Sequence, residues 1–441
     1  MLRAGARWIA DRELWPLSAA AALAVFFPRW AHWGLLAILL LWFLRWLGRG
    51  RPAVPSPANL PALLLLVFTG ASLYVTFDIA TTYVWAVRLI ASIALLLGIV
   101  NWARTEAHLA LLGILITAVG LMMALLTPLG IERRDTLELP AGVLPALSDR
   151  FASLRESFNP NMMAGALAVL MPFPLALLIF APSRWPSVRG AVLRPTAWLV
   201  DRIWLRVPFC LLTLAAMLAA LFLTQSRGGW IGAGAVLLVL MAGRWPGWGV
   251  ILPAAAGAGG YFLWHSDLLT TSQRYLITSS ASSLAGRDDI WRRALYVLRD
   301  FPFTGVGLGM FGKAAEWLYP DYNGFNVVRY PHAHNLFLQV GTDLGIPGLL
   351  AYLWLLGTAF WAGASAVRAF GRRGQRGLQG LAWACLAGLA GMTVHGLLDA
   401  TTWVVGKSGC VPFMLMGLAV ALLRYSRRGT GEREEDGETV G

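Results

Sequence analysis

Long runs of almost unbroken apolar residues leave this chain few ways to fold. They lie near 14–28, 33–47, 59–77, 79–100, 106–128, 161–181, 207–224, 228–242, 247–264, 335–366, 378–399 and 403–423 of a 441-residue sequence. Several approach the length of about 20 residues at which a helix crosses a bilayer. Inside lipid the backbone finds no water, so each run must satisfy its own amides and carbonyls, and a helix does this within the segment. The expected fold class is all-α: a polytopic integral membrane protein with about twelve transmembrane helices.

A formal net charge of +13 invites a nucleic-acid partner, but the positions of the charges exclude that reading. Numbered from a cytoplasmic N-terminus, the short loops and tails on one side collect most of the arginines, including Arg3, Arg7, Arg12, Arg45, Arg49, Arg104, Arg244, Arg372 and Arg428. Short basic loops face the cytoplasm. Both termini are therefore expected inside, and a large loop of about 265–334 outside. The first apolar run follows Arg3, Arg7 and Arg12 and has the look of a signal peptide; with no cleavage site before the next run, a retained first span is expected.

One membrane domain, 1–423, accounts for the chain, followed by a disordered cytoplasmic tail, 424–441, rich in Glu and Gly near its end. Arg51-Pro-Ala-Val-Pro-Ser-Pro57 makes a stiff inner connection, 129–160 a shorter outer loop and 182–206 a basic inner one. Cys210, Cys385 and Cys410 lie in or beside apolar runs, which indicates neither a disulfide framework nor a thiolate metal site. Within the large loop, Gly286 to Asp300 reads as an amphipathic helix with Ile290, Trp291, Ala294, Leu295, Val297 and Leu298 on one face. Asp288 and Asp289 fall in its first turn, where the helix dipole favours anions.

Exceptions to the charge pattern carry the functional signal. Arg227, in Thr224-Gln-Ser-Arg-Gly-Gly-Trp230, places a guanidinium at the outer membrane edge, a costly position without a partner. A planar fork there suits phosphate oxygens. Arg287 has the same reading, or else a pair with Asp288 or Asp289; Arg292 and Arg293 are expected to face water or headgroups. Arg88, inside the fourth run, is a structural pair or part of a substrate path. In Arg329-Tyr-Pro-His-Ala-His-Asn-Leu-Phe-Leu-Gln339, His334 suits a general base, His332 a substrate contact, and Asn335 a group that orients the base or binds a sugar hydroxyl. His-Ala-His without Glu or Cys partners at defined spacing does not make a zinc site. Asp399, in His395-Gly-Leu-Leu-Asp-Ala-Thr-Thr402, is a substrate-binding candidate or a partner for Arg227 or Arg88. Gly305-Val-Gly-Leu-Gly309 lacks the strand and helix setting of a nucleotide loop and reads as a turn.

Taken in order, Ser226-Arg227-Gly228-Gly229, Gly286-Arg287 with Trp291, Pro302-Phe-Thr-Gly-Val-Gly-Leu-Gly309, and His334-Asn335 with Gln339, Gly345 and Gly348 resemble the O-antigen ligase and polymerase superfamily of bacterial membrane proteins. Asn159-Pro-Asn161 also looks like a family feature. The resemblance spans about 155–420. It implies a metal-independent, inverting glycosyltransferase of the bacterial cytoplasmic (inner) membrane, active on its outer face and needing no cofactor. The donor implied is a glycan on undecaprenyl pyrophosphate; the acceptor is lipid A core for a ligase or a second lipid-linked glycan for a polymerase. Arg227 and Arg287 would hold the pyrophosphate, and His334 would act as base. Two rivals from other classes are a lipid-linked sugar transporter and a membrane scaffold. Intramembrane charges limited to Arg88 and Asp399, with no repeat visible, argue against the first. The clustering of Arg227, Arg287 and His334 argues against the second.

Overall fold

A computed structural model describes residues 2–130, 159–180, 203–251, 253–254, 258, 287–320, 331–405 and 407–428. These residues form helices and turns, with no strand among them. In chain order the helices are α1 (Leu2–Asp11), α2 (Leu14–Phe26), α3 (Ala31–Arg49), α4 (Asn59–Val75), α5 (Ile79–Trp102), α6 (Glu106–Gly130), α7 (Pro160–Leu170), α8 (Pro172–Ile179), α9 (Ile203–Thr224) and α10 (Arg227–Arg244). There follow α11 over 287–300, α12 (Phe311–Leu318), α13 (Leu336–Arg372), α14 (Arg376–Gly396) and α15 (Cys410–Arg428).

Among the described residues, 8 helices are long and apolar enough to cross a membrane. They are Pro28–Arg49, Ile79–Trp102, Glu106–Pro128, Pro160–Ile179, Trp204–Thr224, Leu336–Arg372, Arg376–Gly396 and Cys410–Arg428. The expected runs at 14–28 and 59–77 form shorter apolar helices. The run at 228–242 is helical but less apolar, and most of 247–264 lies outside the described residues. So do the greater parts of the loops at 129–160 and 182–206, and residues 265–286 and 321–330 of the large loop. α15 continues through Arg428, so the tail predicted from 424 begins as helix.

Two breaks follow from local chemistry. The predicted run 161–181 divides at Met171 because Pro172 and Pro174 follow, and neither can donate a backbone hydrogen bond. α13 is kinked at Gly345, whose φ of 73° and ψ of 177° are open to glycine alone. A Cβ there would lie 2.5 Å from the Phe303 carbonyl carbon. The turn Pro302–Gly309 docks into this kink: Ile346 N–H donates to Pro302 O (2.7 Å) and Val306 N–H to Thr342 O (2.9 Å). Gly305, Gly307 and Gly309 all have positive φ, which confirms the reading as a turn. Gly345→Ala is expected to cost about 1–3 kcal/mol from backbone conformation alone, with steric overlap added. Gly357, in the same helix with nothing near a Cβ, is the control. Thermal melts in detergent should show a large loss for Gly345→Ala and none for Gly357→Ala; equal melts would remove the kink from the account.

The core is built by close helix contacts. α10 packs along α14, α5 along α15, and α13 along both α14 and α15. At the first crossing a Cβ on Gly232 would stand 3.0 Å from Gly391 O, and the reverse holds for Gly391 against Gly232 O. Backbones approach this closely only over small residues, a common way for membrane helices to pack. The contact brings the start of α10, with Arg227, against the end of α14, with His395. Arg45, counted above among the inner loop charges, is instead buried and paired with Glu13 at 2.8 Å.

Candidate functional site

The site is assembled where the entry to α13 meets the end of α14. Asn335 caps α13: its side-chain oxygen accepts from Phe337 N–H (3.0 Å) and Leu338 N–H (3.1 Å), two of the donors a helix start leaves unpaired. Its amide nitrogen donates to Leu397 O at 3.1 Å, which fastens this cap to the turn after α14. Just before the cap, His334 has a φ of 46°. A left-handed backbone is uncommon outside glycine and needs surrounding contacts to persist. The other described non-glycine residue with positive φ is Gln225, at 50°, two positions before Arg227. One outlier is thus a residue singled out for chemistry and the other lies beside one.

Asp399 sits under His334. The carboxylate is 2% exposed. Its Oδ1 accepts from Thr401 N–H at 3.1 Å, and its Oδ2 lies 3.5 Å from His334 Nδ1, close enough for an ion pair but longer than a hydrogen bond. Burial opposes ionisation of Asp399, yet the surrounding imidazoles, His334 foremost, outweigh it and hold the carboxyl down at about 2. Its ionisable neighbour is therefore His334, not Arg227 or Arg88. His332 lies next to His334, with ring centroids 4.1 Å apart, and its Nδ1 is 3.4 Å from His334 N–H. Burial first, with help from His334 and Arg287, pushes His332 down to about 4, so it is neutral at pH 7. One ligand atom each from His332, His334 and Asp399 fall within 4.8 Å of one another, a set able to hold a metal ion.

The arginines arrive from two other elements. Ser226 caps α10 by accepting from Gly229 N–H at 3.3 Å. This leaves Arg227 in the first helical position, exposed and without an ion pair among the described residues. Gly228 lets the backbone pass beside the His395 ring, 3.4 Å from where its Cβ would be. On α11, Arg292 pairs with Asp288 and faces solvent as expected, its side chain 66% exposed, whereas Arg293 pairs with Asp289 at 2.9 Å and is largely covered. Both first-turn carboxylates are thereby engaged, and Arg287 makes no ion pair among the described residues; its charge reaches His332. The predicted apolar face holds for Ile290, Ala294 and Val297, which are buried, whereas Leu295 is 55% exposed.

Arg88 stands apart from this group. Its Nη1 lies 3.5 Å from Val404 O, in the irregular segment Thr401–Val405, so it supports the turn that follows Asp399. Asn159 caps α7 by accepting from Asn161 N–H at 2.9 Å, and Asn161 O lies 3.4 Å from Thr401 Oγ1. The reading of 335–366 missed Asp343, an acidic residue inside that apolar run with 0% exposure. An acidic residue within an apolar run was the available signal. It accepts three hydrogen bonds from protein donors, which makes it part of the framework and no support for a transport path.

Residues 212–353 match the family model described as O-Antigen ligase. This stretch is similar to the O-antigen ligase family. The matched stretch includes Arg227, Arg287, the Pro302–Gly309 turn, His334 and Gly345; Arg88, Asn159 and Asp399 lie outside it. No curated protein matches the chain. Helices long and apolar enough to cross a membrane, together with this similarity, are consistent with an integral membrane protein.

Proposed function

We propose that the protein moves a glycan from undecaprenyl pyrophosphate to an acceptor hydroxyl on the outer face of the cytoplasmic membrane, with lipid A core as acceptor. The observation that carries this reading is the approach of Asp399 to His334 Nδ1, at 3.5 Å. A carboxylate at Nδ1 favours the tautomer with its proton there and leaves Nε2 to accept one. His334 then takes the hydroxyl proton as the acceptor oxygen bonds to the anomeric carbon. The bond from that carbon to the phosphate oxygen breaks, and the pyrophosphate leaves with the electron pair. Attack opposite the leaving group inverts the centre.

Arg227 and Arg287 supply fixed positive charge for the departing pyrophosphate. Preorganised donors of this kind stabilise charge as it develops, and guanidinium forks fit phosphate oxygens in pairs. His332, neutral and buried, and Asn335 border the acceptor side. Arg88 acts at one remove, through the carbonyl of Val404.

The test is a reconstituted transfer assay with undecaprenyl-pyrophosphate glycan, with and without lipid A core, and with and without EDTA. Core-dependent product that survives chelation is expected. A ladder of longer lipid-linked glycans without core would make the protein a polymerase instead. Loss of activity in EDTA, restored by a divalent cation, would assign His332, His334 and Asp399 to a metal. Donor that crosses the bilayer without being consumed would favour a transporter.

A further inference from the structure

A second layer of buried hydrogen bonds lies directly behind His334. Gln339 and Asp343 are one turn apart on α13, and neither is exposed. Gln339 Oε1 accepts the N–H of Ala333, the residue before His334, at 2.7 Å. Gln339 Nε2 donates to Asp343 Oδ1 at 2.9 Å. The same oxygen accepts from Gly309 N–H at 3.1 Å, and Asp343 Oδ2 accepts from the Trp403 indole N–H at 3.0 Å.

This pattern reaches both halves of the His334–Asp399 pair. On one side it ends at Ala333 and, with the Asn335 cap, clamps the left-handed residue from before and after. On the other it ends at Trp403, four positions beyond Asp399 and fully buried. Gly309 ties the docked turn to the same carboxylate. An amide at 339 is specifically suited to this role. It accepts from a backbone N–H on one atom and donates to a carboxylate on the other, which neither Glu nor an apolar side chain can do at once.

We propose that Gln339 and Asp343 are positioning residues for glycan transfer. They hold His334 in its unusual backbone conformation and keep Asp399 in register beneath it. This rests on the transferase reading given above. Without the Gln339 bond, the peptide before His334 is free to turn, His334 relaxes from positive φ, and its Nδ1 moves away from Asp399. Small displacements of a reacting group carry large rate penalties.

Two variants test this in the full-length protein: Gln339→Met, which keeps volume and loses both hydrogen bonds, and Trp403→Phe, which removes only the indole donor. Each is made alone and with His334→Ala, and kcat and donor KM are measured on monodisperse protein. Gln339→Met is expected to lower kcat by roughly 10²-fold with donor KM held, and Trp403→Phe to lower it less. Neither should lower the residual rate of His334→Ala further, because groups that act as a unit are not additive. Full kcat in both single variants would overturn the proposal. So would losses that multiply with His334→Ala, since they would place the effect elsewhere in the fold. Full activity in His334→Ala itself would instead remove the transferase reading on which the proposal stands.

Discussion

His334→Ala should lower kcat for glycan transfer by about 10²–10⁴-fold, the range a positioned general base contributes, while expression and solubility in detergent stay as in wild type. The side chain is partly exposed, at 23%, so its loss opens no core cavity. Arg287→Ala should also abolish transfer, and Arg287→Lys should restore little of it. A lysine brings the charge but not the planar pair of donors. Steady-state kinetics on the reconstituted protein decide this. Wild-type kcat in either alanine variant would take that residue out of the mechanism. Strong rescue by lysine would reduce Arg287 to a source of positive potential.

Arg45→Ala should give the largest loss of stability, about 3–5 kcal/mol, as for other buried pairs that lose one partner. Arg45 and Glu13 are 1% and 4% exposed, with 2.8 Å between Nη1 and Oε1. Truncating either leaves the other charge buried without its ion-pair partner. Replacing both, as Arg45→Met with Glu13→Leu, should recover most of the loss, because an apolar pair of similar volume is often no worse than a buried ion pair. Thermal unfolding in detergent reads the effect; an unchanged midpoint for Arg45→Ala would show that the pair contributes nothing. Transfer by the double variant should be close to wild type, since the pair joins the turn before α2 to α3, away from His334.

The helical architecture was readable because lipid admits so few backbone solutions: apolar length alone placed most of the spans. The kink at Gly345 was not readable as such. Gly-Ile-Pro in an apolar run signals a weakness in the helix, but only the docked Pro302–Gly309 turn explains why the glycine must be there. The candidate site was partly readable. Arg227, Arg287 and His334 stood out as polar groups at apolar boundaries. Their geometry did not, because the partner of His334 lies 65 positions away by number, at Asp399. Arg45 was misplaced because charge counting assigns arginines to a membrane side without regard to burial. Asp343 was passed over because its three donors come from Gly309, Gln339 and Trp403, two of them remote in sequence.

The staple from Asn335 to Leu397 has a consequence for biosynthesis. A ribosome delivers this chain from the N-terminus, so the arginine of α10, the helix carrying Arg287 and the histidine loop all enter the membrane before residue 397 exists. Until the hairpin after α14 is made, His334 has neither its carboxylate nor the carbonyl that secures its cap. The cation-bearing part of the site is thus translated ahead of the part that completes the proposed base. A nascent chain would complete the His334–Asp399 pair only with its final helices, which makes the last stretch of synthesis the step that assembles the site.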